Sequence, residues 1–159
     1  MFLFDGEEFK NKRPDAVYIS QDVELFDMSI KDNITLGKEV PKEQILQMFE
    51  DAGLIEWYKS LENGLDEIVG ERGIKLSAGQ RQRLNIIRGI LIDKEVYFFD
   101  EPTSNLDLES EEKIINMINK YLKEKTYLIV THRESIKKLC NKHYLVENHT
   151  MNLDGSEDF

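Results

Sequence analysis

A single cysteine, Cys140, stands in this chain, so no disulfide can close within it. That suits a reducing compartment without requiring one. Cys140 shares an apolar phase with Ile136 and Leu139, which marks it as a packing thiol. Basic residues are also few: 21 Lys and Arg face 31 Asp and Glu, a net charge of −10. Nucleic acids are bound largely by neutralising phosphates with Lys and Arg, so no nucleic-acid partner is expected. No apolar run approaches the roughly 20 residues that span a bilayer, and no secretory signal is seen. Any membrane attachment is expected to come through another segment or subunit. The three histidines lack metal-ligand spacing. Neither repeats nor low-complexity tracts occur. One further pattern is missing, G-x-x-x-x-G-K-[ST], whose glycine nest and Lys cradle phosphates. None of the glycines at 6, 37, 53, 64, 70, 73, 79, 89 and 155 opens it. The one Gly-Lys pair, Gly37-Lys38, is followed by Glu39 and has Asp32 where the earlier glycine belongs.

What is present is concentrated in two stretches. In Leu76-Ser77-Ala78-Gly79-Gln80-Arg81-Gln82-Arg83, Ser77 with Gln80 three residues on forms a capping box. The Ser side chain takes one orphan N–H and the Gln reaches back, so a helix starts here with bare amides pointing outward. Such an end attracts phosphate. The second stretch, Val96-Tyr97-Phe98-Phe99-Asp100-Glu101-Pro102, is apolar for four residues and then acidic. It reads as a buried parallel strand delivering two carboxylates at its carboxyl end, where ligands sit in open α/β sheets. Asp100 suits Mg²⁺, directly or through water, and Glu101 suits the orienting of an attacking water. With 40% hydrophobic and 33% charged residues in 159, the chain is globular, with one core of ordinary size.

These residues resemble the signature motif and Walker B strand of ATP-binding cassette (ABC) ATPases. Further segments fall in that family's order: Ile19-Ser20-Gln21-Asp22 resembles the Q-loop, and Val69-Gly70-Glu71-Arg72-Gly73 the glutamate-containing loop before the signature. Ser104-Asn105-Leu106-Asp107 resembles the D-loop and Val130-Thr131-His132 the switch histidine. The resemblance covers roughly residues 15 to 148. It implies ATP and Mg²⁺ as cofactors, with Glu101 as general base or water-positioning group and His132 as γ-phosphate sensor. Gln21 is implied as a catalytic residue that touches the Mg²⁺ held by Asp100. Ser77, Ala78, Gly79 and Gln80 are expected to meet the γ-phosphate on a partner cassette, and Ser104 and Asp107 to cross the dimer interface. Capping and phosphate binding use the same outward N–H groups, so the two readings of Ser77 coexist. Ala78 departs from the family's commoner Gly-Gly, a small change that limits how closely the backbone approaches a phosphate.

The resemblance further implies an α/β fold, a partial P-loop NTPase (RecA-like) parallel sheet with an ABC-type helical subdomain. Residues 1–21 are expected to supply N-terminal strands up to the Q-loop, 22–90 the helical subdomain with the signature, and 91–159 the RecA-like C-terminal part. Because Phe2-Leu3-Phe4-Asp5-Gly6 resembles the strand and turn after the missing phosphate loop, the chain is expected to be the C-terminal part of a nucleotide-binding domain. On its own it is expected to bind and turn over little ATP. The run Asp22 to Phe26, then Ser29 to Ile34, with Glu71-Arg72-Gly73, looks exporter-like. Expected partners are a second nucleotide-binding domain and a transmembrane domain, at the cytoplasmic face of a membrane; an uncovered sheet edge is expected to favour self-association. Two other readings stay open: a non-catalytic interaction or regulatory module derived from a cassette, and an ABC ATPase unconnected with transport.

Local patterns predict the elements. Val17-Tyr18-Ile19 is a short strand, and helices are expected from near Ser29 to Leu36, from Pro41 in the first turn to a stop at Gly53, and over 54–61. The signature helix should run from Ser77 to about Ile92, burying Leu84, Ile87 and Leu91. Asp107 is expected to cap a helix with Glu109, Glu111 and Glu112 in its first turn and a stripe of Ile114, Ile115, Ile118, Tyr121 and Leu122. Tyr127 to Val130 should be a second buried strand, followed by a helix near 133–140 and a third strand at 143–147, all joining one parallel sheet. Arg81 and Arg83 are expected to face solvent or pair with carboxylates, and Asp154 to Phe159 to fray.

Overall fold

The structure, a computed structural model, describes residues 3, 4, 7, 8, 15–147 and 149–153. The segment expected as frayed, Asp154 to Phe159, lies outside these residues, as do Phe2, Asp5 and Gly6. Leu3–Phe4 (β1) and Glu7–Glu8 (β2) pair antiparallel, with Phe4 opposite Glu7. Ala16–Ile19 (β3) follows. Ser29 then caps Ile30–Thr35 (α1), its hydroxyl accepting the Asp32 N–H, and Leu36 closes the helix in the left-handed region. Pro41 stands one residue outside Lys42–Asp51 (α2), where its fixed φ serves as the N-cap. Ile55–Lys59 (α3) is shorter than expected.

Ala78–Ile92 (α4) is the long strut of the molecule, with Ser77 as its cap. Val96–Asp100 (β4), Leu108–Tyr121 (α5) and Thr126–Val130 (β5) come next, then Glu134–Lys137 (α6). Strands β3, β4 and β5 form one parallel sheet in that order, with Ile19 level with Phe99 and Asp100 with Val130. A single cluster of buried side chains runs from Ile19, Tyr97 and Phe99 through Leu84 and Ile87 of α4 to Ile45 and Phe49 of α2 and Ile114 and Ile118 of α5. Close packing of α4 on the sheet depends on Gly89, where a Cβ would stand 2.5 Å from Ile19 Cδ1 and 2.8 Å from its Cγ1.

Two sequence expectations are corrected. Strands β4 and β5 are expected to be buried, but among the described residues the sheet is covered on one face only: Tyr97 and Phe99 are buried, while Tyr18, Phe98, Leu128 and Val130 stand exposed on the other. Successive strand residues point to opposite faces, so helices on one side leave the alternate residues open. The third strand, found as Tyr144–Glu147 (β6), does not extend the parallel sheet. It turns back and pairs antiparallel with Thr150–Leu153 (β7), Leu145 lying opposite Asn152. Reversal within two residues gives a hairpin, whereas a parallel neighbour needs a crossover.

Candidate functional site

Because β3, β4 and β5 run parallel and in register, their carboxyl ends deliver Gln21, Asp100 with Glu101, and Thr131 with His132 to one rim of the sheet. Gln21 is exposed there. Asp100 accepts a hydrogen bond from the Tyr18 hydroxyl at 2.7 Å. That bond, with the carboxylate's charge beside it, pushes the Tyr18 hydroxyl above its ordinary pKa. Asp100 Oδ2 is so engaged, and among the described residues no hydrogen bond reaches Oδ1.

Glu101 turns the chain sharply, with φ of 46° in the left-handed region that non-glycine residues seldom occupy. Its N–H donates to the Val130 carbonyl at 2.9 Å, and its own carbonyl accepts from the Ser104 N–H at 3.2 Å. The side chain is thereby aimed at the β5 end. Glu101 Oε1 lies 2.8 Å from His132 Nδ1 and accepts the His132 N–H at 3.2 Å, while Oε2 accepts from the Thr131 hydroxyl at 3.3 Å. A carboxylate only accepts, so Nδ1 carries the proton and Nε2 faces outward on an imidazole whose side chain is 75% exposed. The pair combines a fixed carboxylate with a reachable ring nitrogen.

At the α4 start, the Ser77 hydroxyl accepts the Gln80 N–H at 3.1 Å and the Gln80 side chain accepts the Ser77 N–H at 2.9 Å. The box satisfies those two amides and leaves the Ala78 and Gly79 N–H groups outside the intrahelical ladder, at the positive end of a 15-residue helix. Ser77 and Ala78 are exposed and Gly79 half-buried. A Cβ on Gly79 would come within 3.2 Å of the Asn105 carbonyl oxygen, so a bare backbone lets this end pack on the turn after Glu101. In that turn Ser104 is half-buried, and Asp107 caps α5 by accepting the Ser110 N–H at 2.8 Å, which holds its carboxyl below the usual range.

Arg81 and Arg83 are half-buried and donate to backbone carbonyls, and the Asp107 carboxylate attracts the Arg83 charge. Arg81 donates to the Leu76 carbonyl at 2.6 Å, and Arg83 to the carbonyls of Gly79, Ala52 and Gly53 at 3.1, 3.3 and 2.9 Å. Glu111 lies in the first turn of α5, as expected, and is 2% exposed. Burial disfavours its charge, yet hydrogen bonds from Ser135 and Arg133 hold its carboxyl below the ordinary value. A lowered folded-state pKa gives stability that is present above the unfolded carboxylate value and lost as pH falls through the folded one. Acid titration of the unfolding midpoint should therefore show a loss below pH about 4 that Glu111→Gln flattens; an unchanged slope would contradict the pairing.

Sequence patterns also pass over Gln82, 1% exposed, which joins α4 to the Glu101 turn. The signal was there in principle, since Gln82 lies four residues before Ile86 and shares its buried helix face.

A family model described as "ABC transporter" matches residues 3–104. The ATP-dependent lipid A-core flippase of Vibrio vulnificus (strain YJ016) is 43% identical over 130 residues, 80% of this chain and 22% of that protein. The alpha-hemolysin translocation ATP-binding protein HlyB of Escherichia coli O157:H7 is 35% identical over 161 residues, 97% of this chain and 23% of its own. Among solved structures, a bacterial Atm1-family ABC exporter with ATP bound superposes with a TM-score of 0.78 at 27% identity, covering 86% of this chain and 24% of that one. The chain thus spans less than a quarter of each of these three relatives.

Proposed function

The chain belongs to the ABC transporter family, and from that premise we propose that it forms the C-terminal portion of the ATP-binding cassette of an exporter, coupling ATP hydrolysis to passage across a membrane. The observation that carries the reading is the Glu101–His132 pair at 2.8 Å on the rim where Asp100 and Gln21 also emerge. Its division into strands to residue 21, a helical subdomain over 22–90 and a RecA-like part over 91–159 follows that of a cassette. The non-catalytic module and the ABC ATPase unconnected with transport are the weaker readings: the Glu101–His132 geometry speaks for catalysis and the named relatives for export.

In this reading Glu101 positions the attacking water and takes its proton, while His132 donates a ring N–H to the γ-phosphate oxygens. Mg²⁺, when bound, supplies positive charge to the phosphates. Asp100, with Gln21, would hold it, and the residues fit: a Mg²⁺ ion in such sites needs one or two protein oxygens, with water and phosphate filling the rest. The Ala78 and Gly79 amides of α4, flanked by Ser77 and Gln80, close on the γ-phosphate of a nucleotide held by a second cassette, and Ser104 and Asp107 lie along the same interface. The partners are that cassette and a transmembrane domain, which places this chain at the cytoplasmic face; among the described residues no helix is long and apolar enough to cross a membrane. Among the described residues the three-stranded sheet has one open face and unpaired edges, which favour self-association of the isolated chain.

Without a glycine nest or its Lys in these 159 residues, the chain alone is expected to hold Mg·ATP poorly. A ligand at 100 times its dissociation constant stabilises by about 2.7 kcal/mol. Millimolar Mg·ATP should leave the thermal midpoint of the isolated chain unmoved, and a rise of several degrees would contradict this. Adding an intact cassette should yield turnover that depends on Ser77 and Gly79; turnover equal to that of the intact cassette alone would refute the proposed role.

A further inference from the structure

The Glu101 backbone conformation is held from outside its own turn. A non-glycine residue in the left-handed region is strained and persists only where its surroundings fix it. The fixing group on the α4 side is the Gln82 carboxamide. Its Nε2 donates to the Glu101 carbonyl at 2.9 Å and to the Ser104 hydroxyl at 3.3 Å, and its Oε1 accepts the Asn105 N–H at 3.1 Å. Both ends of the amide are used, and all three partners lie within residues 101–105. On the opposite side, Arg133 donates to the Ser104 carbonyl at 3.3 Å and to the Leu106 carbonyl at 3.3 and 3.4 Å, its guanidinium held by buried Glu111. The turn is therefore clamped between the helix that begins at Ser77 and the loop that begins at His132.

We propose that Gln82 is a positioning residue: its hydrogen bonds keep Glu101 left-handed, and so keep its carboxylate on His132 and the 104–107 turn against the α4 start. Position 82 also ties two groups proposed to serve different nucleotides, Glu101 for one held on its own cassette and the Ala78–Gly79 amides for one on the partner. A carboxamide is required, because the site needs a donor for a carbonyl and an acceptor for an N–H at once. Methionine of similar length offers neither. Glutamate keeps the acceptor but sets a second lone-pair oxygen against the Glu101 carbonyl.

The conformational claim stands apart from the ATPase reading and is tested on the chain as it is. The three-bond HN–Hα coupling and the ¹³Cα and ¹³Cβ shifts of Glu101 report its φ, and amide exchange of Asn105 reports the bond from its N–H. In Gln82→Met the Glu101 signature should leave the left-handed values and Asn105 exchange should quicken at least tenfold, with amide shifts in α2 and α5 unchanged. Gln82→Glu, which fills the same volume if the Met variant folds poorly, should lose the Glu101 signature yet keep Asn105 slow. Retention of the left-handed signature in a folded variant overturns the proposal.

The catalytic consequence rests on the proposed function and is read with a separate N-terminal cassette fragment that supplies the phosphate loop to this chain, so that Glu101 serves the nucleotide of the cassette it completes. There kcat should fall at least tenfold in Gln82→Met with KM within twofold, and an unchanged kcat would refute a positioning role. Absence of turnover in the unsubstituted complex would instead count against the ATPase reading, and the resonance measurement would still decide the conformational claim.

Discussion

Glu101→Gln is expected to lower ATP turnover by a factor of about 10² to 10⁴, the usual worth of a positioned general base. The measurement is steady-state phosphate release by an assembly that supplies a phosphate-binding loop and draws on this chain's carboxylate, with nucleotide affinity determined separately. The substitution keeps the shape of the side chain and an oxygen to accept the His132 N–H, now 3.2 Å from Glu101 Oε1. It removes the group that takes a proton from water. Stability should therefore change little, since the backbone bonds from Glu101 to Val130 and Ser104 do not involve the side chain. Affinity for ATP should be almost unchanged for the same reason, so the loss should fall on kcat. A decrease of less than tenfold would mean that another group accepts the proton, and would leave the Glu101–His132 pair as a structural contact.

Much of the architecture was legible because its signals are local. Ser77 and Asp107 each cap the helix that follows, as residue type and spacing indicate, and Ser29 caps the helix expected to begin near it. The run from Val96 to Asp100 forms the central strand for the same reason. Failures arose where a partner far along the chain decides the outcome. An apolar run such as Tyr127 to Val130 shows that a strand forms, but not that helices will cover both of its faces. The Tyr144–Glu147 segment carries strand propensity without naming its neighbour, and it pairs antiparallel with Thr150–Leu153 rather than joining the parallel sheet. Glu111 was read from its own helix as a charge suited to the dipole, whereas Arg133 and Ser135, over twenty residues on, bury it. Gln82 carries no local signal of its role, because a polar residue in an amphipathic helix ordinarily faces solvent. The rim of candidate site residues was nearly all local in origin; the clamp that positions it was not.

Phe49→Ala should produce the largest loss of stability, about 3–5 kcal/mol, as is typical for removing a fully buried aromatic ring. Phe49 is 0% exposed at the centre of the helical half. Its ring lies 5.8 Å from that of Tyr58, edge to face at 79°, and 6.3 Å from that of Trp57, so the substitution removes both aromatic contacts with its burial. Native domains hold only about 5–15 kcal/mol in total, and the loss approaches that reserve. Urea unfolding should show a lower midpoint at unchanged slope, the mark of reduced stability rather than of a different fold. The effect should reach the site as well. Helix α2 ends at Ala52 and Gly53, whose carbonyls are held by Arg83 of α4, one turn beyond Gly79. Loosening the core beneath α2 releases that hold and lets the phosphate-facing end of α4 drift relative to Glu101. Phe49→Leu, which refills most of the volume, should cost far less and leave the α4 start in place; an alanine variant losing under about 1 kcal/mol would show that α2 and α3 do not pack through this ring.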